Sequence, residues 1–320
     1  MKVSVAIITF NHARFIGPCL DSVLDQDFGD EYEIVVSDDC STDGTREIVR
    51  DYAARYPDRI RPLLRERNLG RGGRNLAATM LACDGQYIAT LEGDDFWIRR
   101  DKLSRQVAFL DSHPDYAACY SDTLSANEHG QISSVRFVQQ PDRTYDLDDV
   151  LQVRPGSNVA IRSLMYRREA FAGFPPWVQR QKMADKALTV LLAQHGKLKR
   201  FGEPLAVHRY HPGGLWTTLA IRKQRLYQVR YFRALHHWID EPHRPPVARQ
   251  LKLARLRLAW ALIGGGSLRR GLRMMRALRS HAPRMSYGTW WRVWAQVMTT
   301  HLKRRCAALF RRRLTPANET

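Results

Sequence analysis

Between residues 2 and 121, short runs of nearly uninterrupted apolar residues alternate with longer stretches whose apolar residues recur every three or four positions. The runs are 2–8, 33–37, 60–64, 87–91 and 116–121, and the stretches between them are 13–26, 45–56, 71–82 and 101–112. A strand covered on both faces has no polar side and reads as a continuous apolar run, whereas a helix lying on a sheet is apolar along one stripe. Their alternation predicts β-α-β units around a parallel sheet, with Asp101 placed to cap the fourth helix.

After residue 121 the pattern thins into polar residues as far as Arg143, with one weak strand between. Residues 147–153 read as a short helix and 161–166 as a strand. Residues 182–195 read as a helix closed by Gly196 at C′, followed by two late strands, 198–201 and 205–210. From Ile221 onward strand patterns vanish. Leu, Trp, Tyr and Met recur at helical spacing between arginines, and Pro245-Pro246, Gly264 to Gly266 and Pro283 punctuate three or four helices.

Charge divides the chain in the same place. The net charge is +19, but residues 221–320 hold 23 of the 51 Lys and Arg and only three acidic residues, Asp240, Glu241 and Glu319. The expected organisation is therefore an α/β domain over 1–218 and a basic helical extension over 219–320. With 44% hydrophobic residues the chain has material for a packed core, which excludes wholesale disorder. Five scattered cysteines without a C-x-x-C pair, and no signal-peptide pattern before Val3, fit a reducing cytoplasm. No apolar run reaches the roughly 18 residues that a membrane-spanning helix needs.

In open α/β sheets ligands bind beyond the carboxyl ends of the strands, and those ends are unusually polar here. They read Thr9-Phe-Asn11, Asp38-Asp-Cys-Ser-Thr-Asp-Gly44, Asn68-Leu-Gly-Arg-Gly-Gly-Arg-Asn75 and Glu92-Gly-Asp-Asp-Phe-Trp97. The second reads equally as turn chemistry, with Asp43 as a helix cap. The third has three glycines and opens a helix, a form that cradles phosphate through backbone N–H groups, although it matches neither the P-loop nor the dinucleotide spacing. The fourth places three carboxylates in four residues, which calls for a cation or a set of donors. Clustered oxygens suit Mg²⁺ or Mn²⁺.

In this order and spacing, the four motifs resemble the family 2 inverting, nucleotide-sugar-dependent glycosyltransferases of the GT-A fold. The resemblance covers residues 2–125 well and 126–215 loosely, dividing 1–218 into a nucleotide-sugar half (1–125) and an acceptor half (126–218). It implies that Ile8, Thr9, Phe10 and Asp39 hold the nucleobase, Asp39 accepting from a uracil or thymine N3–H. Asn68, Gly70 and Arg74 would approach the base or diphosphate. Glu92, at the first position of the D-x-D element where the family has Asp, and Asp94 would contact the ribose, with Asp94 and Asp95 binding the divalent metal. Asp185, at the start of the 182–195 helix, would be the catalytic base; by itself it reads as a complement to the helix dipole. His211, in a loop after the last strand, is a further candidate metal or diphosphate contact, against an ordinary polar-surface role.

The activity so implied is displacement at the anomeric carbon of a UDP-sugar by a saccharide or lipid-linked acceptor, in bacterial cell-surface polysaccharide or glycolipid synthesis. Three other readings compete, one of them a degenerate, non-catalytic sugar-nucleotide-binding protein that hydrolysis or transfer activity would exclude. A nucleotidylyltransferase-like enzyme shares the topology but lacks its N-terminal Gly-rich loop here, and a nucleic-acid-binding protein fits the Arg-rich extension with its Trp and Tyr but shows no recognised motif. Segments 247–260 and 289–298 combine apolar, aromatic and basic residues as helices lying on anionic membranes do. The expected location is peripheral, at the inner face of the cell membrane.

Overall fold

The computed structural model describes residues 1–70, 73–132, 141–214 and 219–280. Strands β1 (Val3–Thr9), β2 (Tyr32–Asp38), β3 (Ile60–Leu64) and β4 (Tyr87–Glu92) are joined through helices α1 (Ile16–Leu24), α2 (Thr45–Arg55) and α3 (Arg74–Leu81). They pair in parallel in the order β3-β2-β1-β4. Val5, Ile7, Ile34, Val36, Ala89 and Leu91 are fully buried against Ile16, Leu20 and Val23 of α1, which is why these strands carry no polar face. The register is level: Thr9 pairs with Asp38 and Ile8 with Glu92. Three of the four polar motifs consequently start at one height on one edge of the sheet.

The chain continues through β5 (Phe96–Trp97), α4 (Lys102–Ser112), β6 (Tyr116–Ala126), β7 (Arg143–Tyr145), α5 (Leu147–Leu151), β8 (Met165–Arg167), α6 (Ala184–Ala193) and β9 (Lys197–Arg209). The nine-stranded sheet is ordered β3-β2-β1-β4-β8-β6-β9-β5, with β7 on β9. Several sequence expectations change. The two late strands are one, β9, which stays on β6 through register shifts. Residues 161–166 are a 3-10 turn, Ile161–Ser163, followed by the short β8, because Ser163 Oγ bonds to Ser121 and the Ile161 carbonyl accepts from Thr90 Oγ1. Asp101 precedes α4 but caps nothing, its carboxylate being held by Arg99. Gly196 lies one residue beyond the expected C′ position, where a Cβ would stand 2.8 Å from the Asp115 carbonyl. Asp43 precedes the N-cap Gly44 of α2 and accepts from Thr45 N and Ala13 N.

Helices α7 (Ile221–Trp238), α8 (Arg244–Gly264) and α9 (Leu268–Ser280) follow. By internal contacts the chain divides into two units, Met1–Thr218 with Ala234–Val247, and Leu219–Arg233 with Ala248–Thr320. Pro245 and Pro246 stand in the first turn of α8, where the missing N–H is harmless. Segment 247–260 lies within α8 and buries Val247, Leu251, Ala254, Leu256, Leu258 and Ala259, so most of its apolar surface packs inside the protein. Segment 289–298 and Cys306 lie outside the described residues.

A buried lysine lies beneath the 3-10 turn. Lys102 is fully buried, its Nζ donating to Gln106 Oε1 at 2.6 Å and standing 3.9 Å from the Trp97 ring centre. Gln106 Nε2 in turn donates to the Ser163 carbonyl, and Trp97 Nε1 to the Arg162 carbonyl. Burial lowers the Lys102 pKa to about 7. Between that value and its ordinary 10.5 the unfolded chain holds a proton that the folded chain lacks, so this group's contribution makes stability rise with pH, by at most about 1.4 kcal/mol per pH unit. Below pH 7 both states are charged and the slope vanishes. In urea titrations, the stability of Lys102→Met relative to wild type should be greatest near pH 6 and decline from pH 7 to 10. A pH-independent difference would show that Lys102 stays charged in the fold.

Candidate active site

The acidic turn after β4 is held tightly against β1. Gly93 N donates to the Ile8 carbonyl at 2.8 Å, and a Cβ on Gly93 would lie 2.7 Å from Thr9 Oγ1, so the second position of Glu92-Gly-Asp-Asp95 has room only for glycine. The three carboxylates then part company. Asp95, 1% exposed, turns inward: Oδ2 accepts from Arg162 Nε, and Oδ1 accepts from Arg209 N at 2.8 Å and faces His208 Nδ1 at 3.3 Å. Glu92 Oε2 accepts from Arg162 Nη2 at 3.1 Å. Burial pushes Glu92 up to about 8, opposed by Arg162 and reinforced by Asp95, Asp94 and Asp185. The Arg162 guanidinium is held above its ordinary pKa by Glu92 and Asp95, in spite of its own burial.

Asp94 faces the other way. Its Oδ2 lies 3.0 Å from His211 Nε2 and 3.8 Å from His12 Nε2. One ligand atom from each of His12, Asp94 and His211 falls within 4.8 Å of the others, a geometry open to a metal ion. Burial works to raise Asp94, but the His211 hydrogen bond and the field of His12 bring it down to about 2. Burial lowers His12 against the opposing charge of Asp94, and the neutral imidazole this favours is the form that binds metals. His12 Nδ1 and Thr9 Oγ1 are buried without a hydrogen-bond partner among the described residues. The set of two imidazoles and a carboxylate fits a divalent cation. Asp95, expected beside Asp94 as a metal ligand, is not in this cluster because both its oxygens are taken up by Arg162 and β9.

Next to this cluster, the loops after β1, β2 and β3 are tied to one another by hydrogen bonds. Asp39 N donates to the Thr9 carbonyl, and Asp39 Oδ1 accepts from Leu69 N at 2.7 Å. Asn68 Nδ2 donates to the Asp39 carbonyl while its Oδ1 accepts from Gly70 N at 2.7 Å. Burial raises Asp39 above the usual carboxylate range, and the charge of Asp38 adds to it. Asn11 and Cys40 both adopt left-handed backbone, φ 55° and 66°, strain of a kind that gathers at functional sites. Ile8 is half-buried and Thr9 buried at the end of β1, Phe10 is 40% exposed beyond them, and Arg74 is exposed in the first turn of α3.

Asp185 is half-buried in the first turn of α6, and its charge reaches Glu92. The start of α3 abuts the start of α6, since a Cβ on Gly73 would lie 2.5 Å from Ala184 Cβ. The structure thus gathers Asp94 with His211, ties Asp39 to Asn68 and Gly70, and brings Asp185 near Glu92. Sequence reasoning missed His12, Arg162 and Arg209. His12 directly follows the Thr9-Phe-Asn11 motif, which was a usable signal. Arg162 lies in a segment that read as a strand, and nothing local distinguished it. Arg209, its guanidinium 5.0 Å from the ring centres of both Phe15 and Phe96, donates to the Asp94 carbonyl and so braces the turn.

Comparisons with known proteins point the same way. The family model for Glycosyl transferase family 2 matches residues 4–173. The uncharacterized protein Rv1520 of Mycobacterium tuberculosis is 30% identical over 316 residues, spanning 95% of this chain and 87% of that protein. Among solved structures, S. aureus TarS 1-349 in complex with UDP-GlcNAc has a TM-score of 0.56 at 18% identity, covering 82% of this chain and 81% of that one. The mannosyltransferase PcManGT from Pyrobaculum calidifontis, in complex with GDP-Man and Mn²⁺, has a TM-score of 0.60 at 21% identity, covering 94% and 86%. At such identities the structural likeness is one of fold.

Removing one partner of a buried ion pair strands the other charge, at a cost of about 3–5 kcal/mol. Arg162→Met should lose stability of that order in urea denaturation at pH 7, and adding Asp95→Asn should recover part of it. Wild-type stability in the single variant would show that the pair is dispensable.

Proposed function

This chain belongs to glycosyl transferase family 2, and from that premise we propose that it moves a sugar from a UDP-sugar to an acceptor hydroxyl with inversion at the anomeric carbon. As a glycosyltransferase of the GT-A fold it has its donor site at the carboxyl edge of the sheet. One juxtaposition supports the finer reading: Asp39 and Asp94 follow β2 and β4 at that edge, Asp94 is paired with His211, and Glu92 feels the charges of both Asp94 and Asp185.

Asp39 accepts from uracil N3–H, with Ile8, Thr9 and Phe10 lining the base. Asn68 and Gly70 shape the loop that approaches the diphosphate, Arg74 supplies positive charge there, and Glu92 faces the ribose. Asp94 and His211, with His12 beside them, would hold Mn²⁺ or Mg²⁺; two imidazoles favour Mn²⁺ over the oxygen-seeking Mg²⁺. When bound, the cation supplies Lewis-acid stabilisation to the leaving diphosphate. Asp185 takes the proton of the acceptor hydroxyl as it attacks from the face opposite the diphosphate. A single displacement of this kind inverts the configuration.

Titration calorimetry with UDP, with and without Mn²⁺, separates the roles. Binding should weaken at least about tenfold without Mn²⁺ or in Asp94→Asn, as a lost ligand predicts. Asp185→Asn should bind UDP as wild type does while sugar transfer falls by about 10²–10⁴. Metal-independent binding, or a fully active Asp185→Asn, would reject these assignments; tighter binding of GDP than UDP would reassign the base.

The acceptor in this reading is a saccharide or lipid-linked sugar of a cell-surface polymer, met at an anionic membrane surface. TarS, a poly(ribitol-phosphate) β-N-acetylglucosaminyltransferase 35% identical over 114 residues, supports the polymer class. Helix α9 supports the surface. It carries Arg269, Arg270, Arg273, Arg276 and Arg279 with no acidic residue, and Leu272 is exposed on it. Among the described residues no helix is long and apolar enough to cross a membrane. The protein should sediment with phosphatidylglycerol vesicles at low salt, at about 1 kcal/mol per engaged arginine, and Arg269→Glu/Arg270→Glu/Arg273→Glu should release it. Indifference to these vesicles together with tight DNA binding would favour the nucleic-acid reading.

A further inference from the structure

The segment that leads into Asp185 has little regular structure of its own. After Phe174 it runs through Pro175, Pro176 and Trp177 into a 3-10 turn, Val178–Arg180, and reaches α6 at Met183. Something other than a hydrogen-bonded ladder must therefore hold it. Val178 and Met183 anchor it from below, at 0% and 2% exposure. On the donor side it meets α3, where Gly73 leaves no room for a Cβ against Ala184 and Phe174. On another side Trp177 packs against Trp238, ring centroids 5.8 Å apart and planes inclined at 47°.

Trp238 is the last residue of α7, and it lies in the stretch Ala234–Val247 that clusters with Met1–Thr218. Leu235 and Ile239, on either side of it, are 1% exposed and seat the end of the helix in that unit. Trp238 itself remains 36% exposed, so its own burial accounts for only part of what an indole contributes here. Its closest described ring contact is Trp177, eight residues before Asp185.

We propose that Trp238 is a positioning residue: packed on Trp177, it fixes the 177–183 segment and through it the direction in which α6 presents Asp185. The inference rests on Asp185 being the base. A carboxylate at a helix start moves with the helix, and a base displaced by about 1 Å loses much of its rate, of order 10². A ring contact on the preceding loop is a compact way to prevent that, because aromatic pairs constrain orientation as well as distance. A chain ended at residue 218 would lack this brace, so the extension contributes to the catalytic unit in addition to any surface it docks on.

Hydrogen exchange on the full chain tests the idea directly. In Trp238→Ala, amides of residues 178–188 should exchange at least about tenfold faster, as local opening requires, with β1–β4 amides and UDP affinity unchanged. Trp238→Phe, which keeps a ring, should restore protection. Release of UDP from UDP-GlcNAc should fall in the alanine variant and return in the phenylalanine one. If the alanine variant does not fold, Trp238→Leu, which keeps apolar bulk without the ring, is read in its place. Unchanged exchange over 178–188, or an equal rise throughout β1–β4, would overturn the positioning role. Turnover that survives in Asp185→Asn would instead overturn the base assignment, whatever the exchange data show.

Discussion

The clamp of Arg162 on Glu92 and Asp95 is the interaction on which the site depends. Three carboxylates in four residues repel one another, and two like charges 4 Å apart cost about 4 kcal/mol at an effective permittivity of about 20. One guanidinium reaches two of them, through Nε to Asp95 and Nη2 to Glu92. Asp95 is spent on this clamp and on the β9 backbone, which fixes the far side of the sheet to the acidic turn. Asp94 is thereby left facing His12 and His211. The charge that makes the turn conspicuous in the sequence is mostly used to build it.

The same economy runs beneath and beside the turn. Trp97 and Gln106 donate to the carbonyls of Arg162 and Ser163, and Lys102 donates to Gln106, so the clamp rests on a buried polar floor. Such a floor is stable only when every group finds a partner. Gly93 allows the turn to sit on Thr9, and Gly73 allows α3 to reach α6, so two glycines set how closely the acidic turn approaches β1 and α3 approaches α6. Rigid placement of this kind is what displacement at a sugar carbon requires, since most of the catalytic effect comes from geometry and preorganised charge.

The extension answers to different forces along its length. Helix α8 is packed, with its buried face at Val247, Leu251, Ala254 and Leu258 following helical spacing. Helix α9 is strongly one-sided and carries five arginines. The stretch Ala234–Val247 joins the catalytic unit through buried aliphatic residues and Trp238. A composition that looks uniform from residue 221 onward thus covers a bracing segment, a packed helix and a charged helix.

The parallel strands and their helices were legible in the amino-acid sequence, because burial on both faces removes polar residues from a strand whatever the rest of the chain does. The clustering of polar motifs beyond the strand ends followed from the same alternation. The 3-10 turn at Ile161, the fusion of two late strands into β9 and the inward turn of Asp95 were not legible. Each depends on a partner about 40 to 115 residues away: Ser121 for Ser163, β6 for β9, and Arg162 and Arg209 for Asp95. Local pattern determines which segments are strands and helices, because propensity and burial act over a few residues. Which carboxylate faces the two imidazoles and which is buried on an arginine is decided by the register and packing of distant strands, and that exists only in the folded chain.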